Sequence, residues 1–79
     1  MNSIDVYSRQ GCHLCEVLIE ELLPLVRGRL EVEVHDIDTR ADWKQAYDVR
    51  VPVVKYQGRL ICEYHLDRAA ISAILAAQL

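Results

Sequence analysis

Ile4, Val6 and Ser8 alternate with Asp5 and Tyr7, a two-residue period that predicts a short strand running into the turn Ser8-Arg9-Gln10-Gly11. The period then lengthens. Leu14, Val17, Leu18, Leu22 and Leu25 recur at helical spacing, while Glu16, Glu20 and Glu21 mark a wet face whose early acids suit a helix N-terminus. Pro24 is expected to bend or shorten this helix because it removes one hydrogen bond, and Gly28, between Arg27 and Arg29, is a C-cap candidate. Leu30, Val32 and Val34 alternate with Glu31, Glu33 and His35, predicting a second strand with one buried and one solvated face. Asp36 or Asp38 then caps a short helix over Thr39 to Tyr47, with Trp43, Ala46 and Tyr47 turned inward. A third strand from Val51 to Tyr56 turns at Gln57-Gly58 into a fourth from Arg59 to Tyr64. The last helix runs from about Asp67 to Gln78, with Ala70, Ile71, Ile74 and Leu75 inward.

The predicted order is β-α-β-α-β-β-α. Alternating strands and helices followed by a hairpin imply an α/β domain: a four-stranded mixed sheet flanked by helices, with the first helix starting at a strand's carboxyl end. No repeat, linker or low-complexity tract divides residues 1–79, so one domain is expected. A chain of this size buries only about 60% of its unfolded surface, so the core must be efficient. With 52% apolar residues and no phenylalanine, Val, Leu, Ile and Ala plus Trp43 and some of the tyrosines must build it. The formal charge of −3 and the scattered basic residues argue against a nucleic-acid surface. No segment approaches the roughly 18 apolar residues of a membrane span, and the N-terminus lacks the order of a signal peptide. A cytoplasmic location is the expectation. So is a monomer, since no exposed apolar stripe is left over.

Cys12-His13-Leu14-Cys15 stands where the strand period ends and the helical period begins. Residues three apart share a helix face, which brings two sulfurs within bonding reach. A helix start also offers unpaired N–H groups and the positive end of its dipole, both of which favour thiolate over thiol. Cys12 is therefore expected to be the attacking sulfur, and Cys15, one turn further in, the shielded one that resolves a mixed disulfide. Three cysteines without an export signal point to a reducing compartment and a functional pair rather than a disulfide scaffold. The same spacing also serves zinc. The further candidate ligands, Cys62, His35 and His65, have no regular spacing, so no metal site is expected.

With Tyr7-Ser8-Arg9-Gln10-Gly11-Cys12-His13-Leu14-Cys15, Val51-Pro52-Val53-Val54, the hairpin and the final helix in place, the whole chain resembles a glutaredoxin-like member of the thioredoxin-fold superfamily. The resemblance implies a cis bond at Val51-Pro52, beside the thiols, that presents the Val51 backbone to an extended substrate segment. It also places Arg9 where similar proteins carry a basic residue that contacts a glutathione carboxylate. Two departures matter. His13-Leu14 replaces the Pro-containing dipeptide usual between the cysteines, and Cys62-Glu63 aligns with the Gly-Gly pair of glutathione-binding members, with Leu66 where those members carry an acid. Two side chains and the Glu63 charge would hinder a γ-glutamyl group.

The reading that follows is a small dithiol oxidoreductase acting on protein or low-molecular-weight disulfides. It has no bound cofactor. Glutathione remains a candidate reductant, and a thioredoxin-type reductase or a dedicated protein partner gains weight from the missing glycines. Around the pair, His13 is a candidate for tuning the thiolate when protonated, and Arg9, His13, Val51 and Pro52 form the candidate substrate-binding set. Cys62 reads as a small buried hydrophobe, and Trp43 with Tyr47 as core. The competing class is a non-enzymatic binding or redox-sensing module that holds a partner along Val51-Pro52.

Overall fold

A computed structural model of the chain describes residues 2–78. Its elements are β1 (Ser3–Ser8), α1 (His13–Val26), β2 (Glu31–Asp36), a 3-10 turn (Ile37–Thr39), α2 (Ala41–Tyr47), β3 (Val53–Tyr56), β4 (Arg59–Glu63) and α3 (Arg68–Ala77). The order is the expected one, and the strands form a single mixed sheet in the sequence β2-β1-β3-β4. β1 and β2 run parallel, as a helical crossover allows, whereas β3 is antiparallel to β1 and β4 to β3. This topology gathers the carboxyl ends of β1, β2 and β4 and the start of β3 along one rim.

Strand alternation sorts the core into two faces. Ile4, Val6 and Val54 point to one side, where they meet Leu18, Leu22 and Val26 of α1 and Ile71 and Ile74 of α3. Val53 and Tyr7 point to the other, where Tyr47 and Trp43 of α2 cover them together with Ile37 and Val51. Short devices fix the ends of the elements. Asp67 caps α3 by accepting the Ala70 N–H at 3.0 Å, and Asp36 accepts the Asp38 N–H at 2.9 Å to start the 3-10 turn. Gln57 and Gly58, at φ 52 and 79, make the two-residue hairpin turn.

Several local expectations change. Leu14 is 40% exposed, and the buried stripe of α1 is instead Cys15, Leu18, Leu22 and Val26. Pro24 lies in the last turn of α1, which ends two residues later at Val26, and the chain turns at Gly28 (φ 78). β2 does not divide into the expected dry and wet faces, because it is an edge strand. Val34 is 50% exposed at the uncovered edge, whereas His35 is half-buried, stacked on Tyr7 with ring centroids 4.9 Å apart and its Nε2 2.8 Å from Asp5 Oδ1. Ala46 is exposed, leaving Trp43 and Tyr47 to dock α2, and residues 37–39 form the separate 3-10 turn. β3 begins at Val53 rather than Val51, since Pro52 has no N–H for the ladder. β4 ends before Tyr64, whose φ of 66 leaves the extended region.

Arg9 ties the rim together. Its Nε and Nη2 donate to Asp38 Oδ2 and Oδ1 at 3.3 and 2.7 Å, while Nη1 donates to the Oδ1 and carbonyl of Asp48 at 2.9 and 3.1 Å. One planar guanidinium thereby joins the β1–α1 loop, the turn after β2 and the end of α2. Across the rim, Arg50 Nε donates to Glu63 Oε2 at 2.8 Å. Hydrogen bonds from Arg9 hold the Asp38 carboxyl below the usual carboxylate range, and those from Arg50 do the same for Glu63.

Two outcomes are expected. Leu22 is fully buried between the helices and the sheet, so Leu22→Ala should destabilise the domain by about 3 kcal/mol in denaturant unfolding, a large share of what a chain this small possesses. A carboxyl with a lowered folded pKa contributes stability that is complete above its unfolded value near about 4 and lost as pH falls through the folded value. Asp38 and Glu63 should thus leave stability level from about pH 7 to 5 and weaken it below about pH 4. Arg9→Gln should flatten the Asp38 part of that acid limb; an unchanged limb would mean that the clamp does not form in solution.

Candidate functional site

β1 delivers the chain to the rim at Ser8, and Gly11, at φ 77, supplies the left-handed turn that reverses it into α1. Cys12 then occupies the N-cap with extended backbone (φ −94, ψ 103), and its Sγ accepts the Cys15 N–H at 3.1 Å. Sulfur here takes the place usually held by a serine or aspartate oxygen. Cys12 and Cys15 are joined as a disulfide with their Cα atoms 5.2 Å apart, a separation that a disulfide spans readily. The surroundings of the two sulfurs differ. Cys15 is 2% exposed, in the α2-side cluster with Ile37, Tyr47, Val51 and Val53, while Cys12 is half-buried against that cluster.

The other sequence-derived candidates share the rim. The Val51-Pro52 bond is cis; Val51 is buried, and the Pro52 carbonyl accepts the Tyr64 N–H at 2.8 Å. His13 points to solvent with its side chain 86% exposed and Nδ1 3.9 Å from Glu16 Oε2. Arg9 stands next to the cysteine loop, but Asp38 and Asp48 engage its guanidinium. Sequence reasoning offered Asp38 only as a helix cap, paired Arg9 with neither aspartate, and treated Glu63 as a lone charge. Partners separated by 29, 39 and 13 positions leave no local period to detect.

Cys62 belongs elsewhere. It faces Val54 across the β3–β4 ladder and packs on the α1–α3 side, and burial pushes its thiol pKa up. Among the described residues, no three His, Cys, Asp or Glu side chains are grouped to hold a metal ion. Among the described residues, no helix is long and apolar enough to cross a membrane. A groove of about 450 Å³ between the β3–β4 hairpin and α3, lined by Tyr56, Ile61 and Ala73 among others, opens at the end of the sheet opposite the thiols.

The rim therefore presents a disulfide at a helix start, one sulfur shielded and one approachable, beside a cis-proline segment. Known proteins share this arrangement of fold. A family model described as Glutaredoxin-like domain (DUF836) matches residues 3–76. The solution structure of protein Ne2328 from Nitrosomonas europaea is 37% identical with a TM-score of 0.81, over 92% of this chain and 89% of that one. The X-ray structure of XcR50 from X. campestris is 32% identical with a TM-score of 0.73, over 95% and 97% of the two chains. Oxidized glutaredoxin 2 from Chlamydomonas reinhardtii, at 21% identity and a TM-score of 0.57 over 98% of this chain and 74% of that one, shares the fold. No curated protein sequence matches the chain. The glutaredoxin-like fold with a bonded Cys12–Cys15 pair supports a thiol–disulfide redox role, and by the match over residues 3–76 the chain belongs to the glutaredoxin-like domain family.

Proposed function

We propose that this protein is a small dithiol oxidoreductase in which Cys12 attacks and Cys15 resolves. The observation that carries the reading is the Cys12 sulfur at the N-cap of α1, accepting the Cys15 N–H, with the Cys15 sulfur shielded behind it. In the reduced protein, the N–H groups and dipole of the helix start stabilise a Cys12 thiolate. That thiolate attacks one sulfur of a substrate disulfide, whose other sulfur leaves as a thiolate and takes up a proton. The Cys15 thiolate then attacks Cys12, closing the protein disulfide and releasing the second substrate thiol. Two electrons pass from the cysteine pair to the substrate.

Val51 and Pro52 flank the attacked bond, and an extended substrate segment pairs along the Val51 backbone. His13 is solvated, so its side chain acts on the thiolate only through a screened field. The oxidised pair is recharged by a thioredoxin-type reductase or a dedicated protein partner ahead of glutathione, in the reducing setting of the cytoplasm, and the protein works as a monomer without a bound cofactor.

In a graded thiol–disulfide buffer, alkylation and mass measurement of the metal-free protein should show one reversible two-electron transition confined to Cys12 and Cys15. Cys12→Ser should abolish disulfide reduction. Cys15→Ser should retain attack and accumulate a mixed disulfide on Cys12. If Cys12→Ser retains turnover, or if Cys15→Ser traps nothing while folded, the assigned order of attack is wrong.

A further inference from the structure

Arg9, Asp38, Asp48, Arg50 and Glu63 line the rim around the thiols, and each of the two guanidinium groups is engaged by carboxylates. Arg9 faces two carboxylates, Asp38 and Asp48. Arg50 is held from three sides: its Nε donates to Glu63 Oε2 at 2.8 Å, its Nη1 to the Ala46 carbonyl at 3.3 Å, and its guanidinium carbon lies 5.8 Å from the Tyr47 ring centroid. Glu63 sits opposite Val53 in the β3–β4 ladder, and the next residue, Tyr64, bonds back to the Pro52 carbonyl. The Arg50–Glu63 pair thus brackets the Val51-Pro52 segment, one partner immediately before it and the other across from it. In these ion pairs two guanidinium groups stand against three carboxylates, with Lys44 near Asp38 and Lys55 near Arg50.

We propose that Glu63, by occupying Arg50 beside Val51-Pro52, is a specificity determinant that turns the site away from polycarboxylated thiols such as glutathione and toward disulfides in neutral or basic surroundings. The proposal rests on the dithiol reading of Cys12 and Cys15. Glutathione carries two carboxylates and one amine, so its carboxylates would have to displace Glu63 from Arg50 or lie beside the Glu63 carboxylate. The Glu63 side chain is only 26% exposed, so bulk salt screens it incompletely. A basic segment next to a substrate cystine meets the opposite field and is drawn in.

The test compares three symmetrical disulfides with the reduced protein: anionic glutathione disulfide, neutral 2-hydroxyethyl disulfide and cationic cystamine. The readout is each rate constant divided by that for the neutral compound, a ratio that a partly unfolded fraction does not move. Glu63→Gln releases Arg50 and should raise the glutathione ratio roughly 3- to 10-fold while lowering the cystamine ratio, as expected for one unit of charge at a partly solvated site. Arg50→Gln leaves Glu63 unmatched and should move both ratios the other way. Opposite movements in the two variants support the proposal. Ratios that neither variant shifts overturn it while leaving the dithiol chemistry intact. A wild-type protein that reduces not even the neutral disulfide overturns the dithiol reading itself, and the proposal with it.

Discussion

The guanidinium of Arg9 holds the end of the molecule where the thiols stand. Three segments meet there that share neither a helix nor a ladder: the loop after β1, the turn after β2 and the close of α2. A lone exposed ion pair would hold such segments weakly. Arg9 instead directs donors at four acceptors on Asp38 and Asp48, and a planar fork fixes their directions together. The position of the cysteine loop relative to α2 follows from this. So does a chemical condition: an anionic ligand would have to compete with the protein's own carboxylates for the Arg9 guanidinium.

The inequality between the two sulfurs has its origin in packing on the α2 side of the sheet. Tyr7 lies between the rings of His35 and Tyr47, with centroids 4.9 and 4.5 Å away, and Trp43 approaches it edge-on at 5.6 Å. This aromatic layer sets α2 close to β1 and β3. The first turn of α1 then drops Cys15 into the apolar space bounded by Ile37, Val51 and Val53. Cys12, at the cap, lies beyond that space and keeps its opening to solvent.

Element types were legible because α1 and α3 keep a helical period, and β1 and the hairpin keep strand signals that tertiary packing agrees with. The cysteine pair at the strand-to-helix junction was legible for the same reason, since a change of period marks a change of element. The faces of β2 were not. Alternation says which residues share a side, but only the sheet order reveals that Val34 sits at an open edge while His35 is covered by Trp43 and paired with Asp5. Position 14 misled in another way: Leu14 and Cys15 are both apolar enough to open the buried stripe, and the three-dimensional site takes the smaller. The charge pairs of the rim lay beyond reach of any local pattern, for they join residues whose only relation is that the topology ends their segments at one place.

The third thiol has its own consequence. Cys62 packs against the α1–α3 cluster, whereas Cys15 belongs to the cluster formed with Ile37, Tyr47, Val51 and Val53. Separate clusters hinder exchange, since the attacking sulfur must lie in line with the bond it breaks. Burial adds a second barrier by keeping Cys62 in the protonated, poorly nucleophilic form. A chain with three cysteines admits three possible intramolecular bridges; of these the structure forms Cys12–Cys15 and leaves Cys62 as a free, half-buried thiol.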